Sequence, residues 1–554
     1  MSAQPQRLSG STPQSAPLDT VPAAAVDTTL PAGASTGFAG RLVHPSDDPA
    51  TALIAAPVER IGDAQPTDDP SPLDGARMPE WSLQNKHVYL IGIGGCGMSG
   101  LARMLTARGA ICAGSDKEPS DLTSELQRDG YAVSFEQEAG QIPTPCDLVI
   151  ASAAIKPEHP EVRAAAAQNI PVLTYAEALG KMMEGRTGVS IAGTHGKSTT
   201  TALLAHVLIT CGKDPSFIVG ATSRQIGGGS RSGSQSQPDS DRPGLLVAEA
   251  CEFNRSFHHH RPTIAAILNV EEDHLDVYGN LDAIIEAFRR FARLLPPAEE
   301  NGYLLIGHEN AQRGNVAAGL QCTVETIGLS TQADWSVAFD PRGRRVTLNR
   351  QGAPCASWAS PIPGEHNAYN AAVAAVLAHR LGCAWSDIVP AIESFAGVDR
   401  RMQRLGTRKA GRGEVVVYDD YGHHPTEVDS TLRALRAFEK PKRLICVFQP
   451  HQHSRTRFLL DQFAASFSSA DVVIVPHIYF VRDSEIEKTR VSAADLVDRL
   501  RARGIDAMHI YPFEAIVSQL ERMCRSGDLV VAMGAGPVWQ VAHQFLRNER
   551  SAAK

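Results

Sequence analysis

The stretch "IAGTHGKSTTT", residues 191–201, decides how the middle of this chain folds. It joins an apolar run, Val189–Ala192, to a helical pattern over residues 199–211. A strand, a glycine turn and a helix start together present backbone amides and the helix dipole to phosphate oxygens. The stretch therefore predicts a nucleotide phosphate loop. Ile191, however, stands where the first glycine of the common G-x-x-x-x-G-K-[ST] loop would fall.

Two side chains of this loop have predicted roles in phosphate chemistry. Lys197 would reach the β- and γ-phosphates, and Ser198 would offer its hydroxyl to Mg²⁺. The alternative is a strand-to-helix turn that carries an exposed lysine. The predicted phosphate-contacting residues are Gly193, Thr194, His195, Gly196, Lys197, Ser198 and Thr199.

An acidic and an imidazole side chain follow two further apolar runs. Glu249 ends "LLVAEA", and His274 lies in "NVEEDHLDVYG" after "IAAILNV". If these runs are neighbouring strands, both side chains face the loop, and with Ser198 they could surround Mg²⁺. Taken alone, His274 could equally be a hydrogen-bonded structural histidine. The "HHH" run at 258–260 is expected to be a solvated loop, because no cysteine pair accompanies it to form a zinc site.

Apolar runs alternate with helical patterns from residue 84 onward, which predicts an α/β protein with largely parallel sheets. We place domain boundaries to give domains 84–183, 184–398 and 399–554. Residues 1–80 hold 12 of the 35 prolines and are expected to be a disordered extension. The Gly/Ser-rich segment 225–244 is expected to be a flexible surface loop.

A second glycine motif, Gly92-x-Gly94-x-x-Gly97, also follows an apolar run, and Asp116 lies downstream of it. This pattern is typical of dinucleotide binding, so an NAD-linked oxidoreductase is one interpretation. Glycines that only allow close packing are another. A helix N-terminus binds any pyrophosphate, and the motif alone does not choose the ligand.

Composition narrows the class of protein. The net charge of −8 gives no basic footprint for nucleic acid. No apolar run is long enough for a membrane span, so no membrane insertion is expected. The ten cysteines form no C-x-x-C pair and no secretory signal is visible, so a cytoplasmic location is expected.

Seven motifs occur in an order that closely resembles the Mur ligases of peptidoglycan synthesis, over residues 84–546. They are "GTHGKST", "AEACEFNRSF", "NVEEDHLDVYG", "GEHNAYNAAVA", "DRRMQRLG", "DDYGHHPTEV" and "FQPHQHSRTR". The family's loop has the short Gly-Thr-x-Gly-Lys-[ST] form, which accounts for Ile191. The chain departs from the family at Ser198, where threonine is usual. It also departs at Cys251 and Phe253, where the family commonly has aspartate and serine.

The resemblance implies three domains: a Rossmann-like UDP-sugar domain, a central P-loop ATPase-like domain with a mostly parallel sheet, and a C-terminal Rossmann-like domain. It turns the first glycine motif into a UDP-sugar site. The residues implied for the UDP-sugar are Gly94, Gly95, Gly97, Asp116 and Ser152. Those implied for ATP beyond the loop are His366, Asn367, Asn370, Arg401 and Asp420.

The resemblance also implies where the amino acid binds and which reaction follows. Tyr421, His423, His451 and Arg455 would hold the amino acid and the muramyl carboxylate, with Arg455 as a bidentate clamp. The implied reaction is ATP-dependent ligation of L-alanine to the lactyl carboxylate of UDP-N-acetylmuramate through an acyl phosphate. Lys197 and Arg455 would assist it, and His423 is the hypothetical base that deprotonates the amine.

Other functions stay open at this stage. One is a recycling ligase that adds a tripeptide to the same sugar nucleotide. Another is a non-catalytic sensor of UDP-sugar and ATP, in which Cys251 and Phe253 have ended turnover. The protein is expected to be a monomer or homodimer, and closure of the third domain onto the first two is expected during the reaction.

Overall fold

Three β-sheets follow one another along the chain, and each is built mainly from parallel strands. The computed structural model describes residues 81–238, 242–481 and 483–552. The predicted disordered extension, 1–80, lies outside these residues. Within the part of the chain that is described, no helix combines the length and the apolar character needed to cross a membrane.

The N-terminal sheet has five parallel strands in the order β3-β2-β1-β4-β5. Its strands are β1 (His87–Ile91), β2 (Ile111–Ser115), β3 (Ala132–Ser134), β4 (Leu148–Ala151) and β5 (Val172–Thr174). The helices of this region are α1 (Cys96–Ala107), α2 (Asp121–Arg128), α3 (Pro160–Ala167) and α4 (Tyr175–Met183). Four of the five β1 residues are buried, as expected for a parallel strand covered on both faces.

The central sheet has ten strands in the order β15-β14-β13-β12-β11-β10-β6-β9-β7-β8. Its strands are β6 (Thr187–Ala192), β7 (Ser216–Ser223), β8 (Gly228–Arg231), β9 (Leu245–Glu249), β10 (Ile264–Ile267), β11 (Tyr303–Gly307), β12 (Thr323–Gly328), β13 (Trp335–Asp340), β14 (Arg345–Arg350) and β15 (Ala353–Ala359). The helices are α5 (Lys197–Thr210), α6 (Leu275–Tyr278), α7 (Leu281–Ala292), α8 (Arg313–Ala317), α9 (Glu365–Arg380) and α10 (Trp385–Glu393). Antiparallel strands occur only toward the two edges of this sheet.

The C-terminal sheet has six strands in the order β16-β17-β21-β18-β19-β20, and only β16 is antiparallel to its neighbour. Its strands are β16 (Gln403–Ala410), β17 (Gly413–Asp420), β18 (Leu444–Phe448), β19 (Val472–Val475), β20 (Asp506–His509) and β21 (Leu529–Met533). The helices are α11 (Pro425–Glu439), α12 (His453–Phe458), α13 (Leu460–Ser466), α14 (Ala493–Ala502), α15 (Phe513–Met523) and α16 (Trp539–Ala552). Three mostly parallel sheets confirm the α/β fold class predicted from the sequence.

The strand order of the central sheet positions the site. Strand β6 lies between β10 and β9, with Ala192 opposite Ile267 and Ile191 opposite Glu249. The carboxyl ends of these three parallel strands therefore meet at one edge, where ligands of open α/β sheets bind. Helix α5 starts directly after the loop and is buried along most of its length, which anchors the loop between the sheet and α9.

The segment 225–244 is not simply the flexible surface loop predicted from its composition. Residues 228–231 form strand β8, which pairs with β7 at the sheet edge. Helix α1 of the N-terminal region packs against it, and a Cβ added to Gly100 would lie 2.4 Å from Ser230 Cβ. The small residues Gly100 and Ser230 allow this close approach. A high content of Gly and Ser therefore indicates close packing here, and not a flexible loop. Residues 239–241 of the segment lie outside the description.

The "HHH" run is also less solvated than predicted. His260 is 3% exposed, and its Nδ1 lies 2.9 Å from Ser190 Oγ. The ring of His258 stacks on Phe257, and its Nε2 lies 2.8 Å from Ala287 O. Only His259 of the three is exposed. The polar nitrogens of His258 and His260 have local partners, which explains how the run is accommodated against the core.

Candidate active site

The phosphate loop is fixed by the strand beside it. The backbone of Asn269, just after β10, accepts a hydrogen bond from the Thr194 amide at 3.2 Å, and its side chain accepts one from the His195 amide at 2.7 Å. The Thr194 hydroxyl in turn accepts the Glu271 amide. Gly196 has a φ of +84° and its Cα lies against Asn370, so a larger residue there would be strained and would clash.

Lys197 folds back over the loop toward an acid. Its Nζ donates to the carbonyl of Gly193 at 2.5 Å and lies 2.9 Å from Glu252 Oε2. Burial alone would lower the pKa of Lys197, but Glu252 and the nearby Glu249 outweigh it and raise this pKa. The lysine is therefore charged, as a phosphate ligand must be. In this structure Glu252 is the anion that pairs with Lys197.

The predicted metal-binding side chains surround the same end of the loop. Ser198 is 3% exposed at the start of α5. Glu249 accepts the Gly220 amide at 2.8 Å. His274 Nε2 lies 4.0 Å from Glu252 Oε1, and the ring edge of Phe253 packs on His274 with centroids 5.1 Å apart. The structure thus adds a second carboxylate, Glu252, to the one the sequence singled out.

The first glycine motif forms a tight strand-to-helix turn after β1. The Gly94 amide donates to Asp116 Oδ2 at 2.8 Å, so Asp116 stabilises the turn. Gly97 allows close contact with Tyr175, whose hydroxyl would lie 2.7 Å from an added Cβ. The Cβ of Ser152, after β4, would lie 2.9 Å from a Cβ added to Gly92. The predicted UDP-sugar residues are therefore neighbours at one end of the N-terminal sheet.

A cleft lies between the phosphate loop, the start of α9 and the C-terminal sheet. It is lined by Gly196, Ser198, Thr199, His366, Asn367, Asn370, Arg401, Asp420 and Glu427, among others. The side chain of Asn367 donates to Pro363 O at 2.8 Å and is close to Asn370 at 3.4 Å. The cleft brings together most of the residues predicted for ATP, from three distant parts of the sequence.

Asp420 closes one side of this cleft. Its two carboxylate oxygens accept the amides of Met402 at 2.6 Å and Gly422 at 2.7 Å. Burial raises the pKa of Asp420 to about 6, although Arg401 and these amides oppose the shift. Asp420 therefore bonds backbone amides from two segments of the chain and also faces the cleft.

The residues predicted for the amino acid cluster on the C-terminal sheet. The ring of His423 lies 5.3 Å from that of Tyr421 and 5.8 Å from that of His451. Arg455 Nη1 lies 3.3 Å from His451 Nδ1. The ring of Tyr479, which the sequence did not single out, stacks on His451 at 5.6 Å. Three predicted rings and the arginine therefore form one site.

His423 is placed to accept a proton. Its Nδ1 lies 3.1 Å from the carbonyl of Tyr421 and 3.5 Å from Glu427 Oε2. Both neighbours only accept hydrogen bonds, so Nδ1 carries the proton and Nε2 presents its lone pair. Burial lowers the pKa of His423 to about 4 despite the attraction of Glu427. The ring is therefore neutral near pH 7.

His195 links the loop to the C-terminal sheet. Its Nε2 lies 3.4 Å from Glu271 and its Nδ1 lies 3.3 Å from Glu427. Burial opposes a charge on this ring, but the two nearby carboxylates, Glu271 and Glu427, raise the pKa of His195 to about 9. The imidazole is therefore a cation between two anions.

His195, Glu271 and His424 lie close enough together to suggest a metal cluster. The nitrogens of His424 already have partners, since Nε2 lies 3.1 Å from Glu272 O and Nδ1 accepts the Thr426 amide at 3.3 Å. In this structure the three side chains form a polar network around His195, whose ring lies between Glu271 and Glu427 and 4.7 Å from the ring of His424.

The sequence analysis did not identify several residues of the site: Glu252, Asn269, Glu271, Asp273, His424 and Glu427. Each lies inside or next to a motif that carried the family resemblance. The motifs indicated where polar side chains gather. They did not indicate which acid of a run such as "NVEEDH" faces the loop, because that depends on backbone turns after the strand.

Three family models match successive parts of the chain. Residues 87–187 match the model of the "Mur ligase family, catalytic domain", residues 191–378 the "Mur ligase middle domain", and residues 400–536 the "Mur ligase, glutamate ligase domain". A curated relative from Lachnospira eligens is 37% identical over 467 residues, which cover 83% of this chain and 98% of the relative. The chain belongs to the Mur ligase family.

That relative is named UDP-N-acetylmuramate–L-alanine ligase. A protein of the same name from Acetivibrio thermocellus is 35% identical to this Mur ligase over 84% of the chain and 97% of the relative. Solved structures agree on the fold. A UDP-N-acetylmuramate-alanine ligase from Thermotoga maritima superposes with a TM-score of 0.69 at 23% identity, covering 84% of this chain and 99% of the other. A murein peptide ligase from Psychrobacter arcticus gives 0.62 at 23% identity, covering 84% and 98%.

Proposed function

We propose that this Mur ligase joins L-alanine to the lactyl carboxylate of UDP-N-acetylmuramate, with cleavage of ATP to ADP and phosphate. The observation that carries the proposal is the shared cleft: the phosphate loop faces Asp420 and Arg401, and the His423–Arg455 site adjoins it through Glu427. The names of the curated relatives support the choice of acceptor and sugar nucleotide.

We also propose which part of the chain binds each substrate. We assign residues 84–183 to the UDP-sugar, with the glycine turn and Ser152 as the binding edge, and residues 184–398 to ATP. Residues 399–554 are assigned to the amino acid. The cytoplasmic location and the monomeric or dimeric state remain predictions from the sequence.

Mg²⁺ is part of the proposal, and the residues present fit it. Ser198 and Glu249 supply oxygen atoms, the ligands that Mg²⁺ prefers. His274 Nδ1 is buried with no hydrogen-bond partner among the described residues, which leaves it available to a ligand or a metal-bound water. When bound there, the ion would offset negative charge on the β- and γ-phosphates.

In the first step, an oxygen of the lactyl carboxylate forms a bond to the γ-phosphorus while the bond from that phosphorus to the β,γ-bridging oxygen breaks. The products are an acyl phosphate and ADP. Lys197 exchanges Glu252 for phosphate oxygens and stabilises the charge that spreads over the transferring group. Arg455 holds the carboxylate by two parallel hydrogen bonds.

In the second step, the neutral amine of L-alanine attacks the acyl carbon and inorganic phosphate leaves. The nitrogen loses a proton as the amide forms, and Nε2 of His423 accepts it. With a pKa of about 4, His423 is unprotonated at neutral pH, so it is ready for this role. It is too weak a base to keep the proton, which passes on to water.

The test is phosphate release by the purified protein with ATP, MgCl₂, UDP-N-acetylmuramate and one acceptor at a time. We expect release with L-alanine, less with glycine or L-serine, and none with the tripeptide of the recycling reaction. Release with the tripeptide alone would reassign the protein to that ligase. Tight binding of ATP and UDP-sugar with no ADP formed would support the sensor interpretation, in which Cys251 and Phe253 have ended turnover.

A further inference from the structure

The two carboxylate oxygens of Glu427 face different parts of the cleft. Oε1 lies 3.3 Å from His195 Nδ1 in the phosphate loop and 3.7 Å from Arg401 Nη1. Oε2 accepts the amides of His423 at 2.9 Å and His424 at 3.2 Å, and lies 3.5 Å from His423 Nδ1. One side therefore contacts the nucleotide side of the cleft, and the other contacts the proposed amine base.

A helix cap explains only half of this arrangement. Glu427 is the third residue of α11 and completes a capping box with His424, which accounts for Oε2. It does not account for Oε1, because His195 and Arg401 belong to other segments of the chain. The Glu427 side chain is 14% exposed, so its interactions with these cations are only weakly screened by solvent.

The geometry around His423 gives the link a chemical meaning. Glu427 and the Tyr421 carbonyl both hold the protonated Nδ1, which fixes the tautomer and leaves Nε2 free. An acid that orients a histidine base in this way does not itself transfer the proton. On the other side, the same carboxylate fixes the loop residue two positions before Lys197.

We propose that Glu427 is a positioning residue that couples the ATP loop to the acceptor base, through His195 on one oxygen and His423 on the other. The inference rests on the proposed function for the identity of the acceptor. Because one carboxylate makes both contacts, its loss has two effects at once. It loosens the phosphate loop, and it releases the ring of His423. A residue that served only the helix cap would change stability without changing both kinetic constants.

The experiment compares Glu427→Gln with Asp429→Asn, which removes a partly exposed charge, paired with Arg433, from the same helix. We expect Glu427→Gln to raise the KM for ATP at least fivefold and to lower kcat at saturating ATP and L-alanine at least tenfold. Asp429→Asn should stay within twofold of the wild type. Equal behaviour of the two variants would overturn the inference.

His195→Gln tests the link from the nucleotide side. It should raise the KM for ATP and lower kcat less than Glu427→Gln does, because His423 keeps its partner. In the double variant, the increase in the ATP KM should not exceed that of Glu427→Gln alone, since both changes break one interaction. Effects that multiply would show that the two residues act independently and would contradict the coupling.

Two controls separate a loss of folding from a loss of positioning. The first is the melting temperature of each variant, and the second is Glu427→Asp, which keeps the charge on a shorter side chain. We expect Glu427→Asp to recover at least a third of the lost kcat, whereas no recovery in a folded protein would count against positioning. Failure of the wild type to release phosphate with any acceptor would refute the proposed function. The coupling would then be tested on ATP dissociation constants, where Glu427→Gln and His195→Gln must again be non-additive.

Discussion

Arg455 and Asp273 form a buried ion pair across the two larger sheets. Arg455, on α12, donates to Asp273 Oδ1 from Nε at 3.1 Å and from Nη2 at 2.8 Å. Their side chains are 6% and 9% exposed, and Asp273 follows β10 of the central sheet. The group proposed to grip the substrate carboxylate is thus held by a protein carboxylate, which a bound substrate must displace or share.

Arg455→Ala should therefore impair both activity and stability. Loss of the clamp should lower kcat/KM for UDP-N-acetylmuramate at least 100-fold, which phosphate release would measure. Asp273 stays buried but loses its arginine partner, a change that costs about 3 to 5 kcal/mol. The double variant Arg455→Ala/Asp273→Asn should regain most of the melting temperature and none of the activity. Recovery of activity in the double variant would show that Arg455 serves structure alone.

Lys197→Met should abolish ADP formation, with a loss of at least 10³-fold, because no other lysine or arginine of the described loop takes its place at the phosphates. Lys197→Arg keeps the charge but not the compact ammonium, and should retain less than a tenth of the wild-type rate. The matched control is Lys86→Met, which removes an exposed lysine at the N-terminal sheet. Activity of Lys197→Met comparable to that of the control would rule out the phosphate loop.

Some features of this site follow from sequence and others need the fold. The loop at 193–199 was predictable, because strand, glycines and helix are local signals. The role of Glu427 was not, since its partner His195 lies more than 200 positions away and the contact depends on how the C-terminal sheet packs. Strand β8 was not predicted for a related reason. Its stability comes from pairing with β7 and from contact with α1, and the composition of the segment does not encode either interaction.

Two variants can show whether Glu249 or Glu252 binds Mg²⁺ at the proposed metal site. Glu249 is half-buried and accepts the Gly220 amide, whereas Glu252 is already paired with Lys197. We expect Glu249→Gln to raise the Mg²⁺ concentration for half-maximal activity at least tenfold. Glu252→Gln should instead change the KM for ATP and leave the Mg²⁺ requirement within threefold.

Removal of Mg²⁺ by a chelator is the control for the Glu249→Gln and Glu252→Gln variants. EDTA should stop phosphate release by the wild type, and added Mg²⁺ should restore it in full. If Glu252→Gln shows the larger shift in Mg²⁺ requirement, the two roles are exchanged, and the ion binds nearer to His274.

Asp419 gives a prediction for the pH dependence of stability. Burial raises the pKa of Asp419 to about 7, against the opposing effect of Arg400, whose Nε lies 3.4 Å away. The folded protein therefore binds this proton more tightly than the unfolded chain does, whose pKa is about 4. The contribution of Asp419 to the free energy of unfolding is therefore at its full value below pH 4 and is lost as the pH rises to 7.

Asp419→Asn should remove that dependence. Between pH 5 and pH 7 the wild type should lose about 2 to 3 kcal/mol in free energy of unfolding from this residue, at about 1.4 kcal/mol for each pH unit. The variant should show a flatter profile over the same range, measured by urea unfolding at each pH. Asp429→Asn, at a partly exposed position of α11, should follow the wild-type slope. Parallel profiles for wild type and Asp419→Asn would mean that Arg400 keeps Asp419 ionised throughout, because an ion pair strong enough to offset burial leaves no proton to lose in this range.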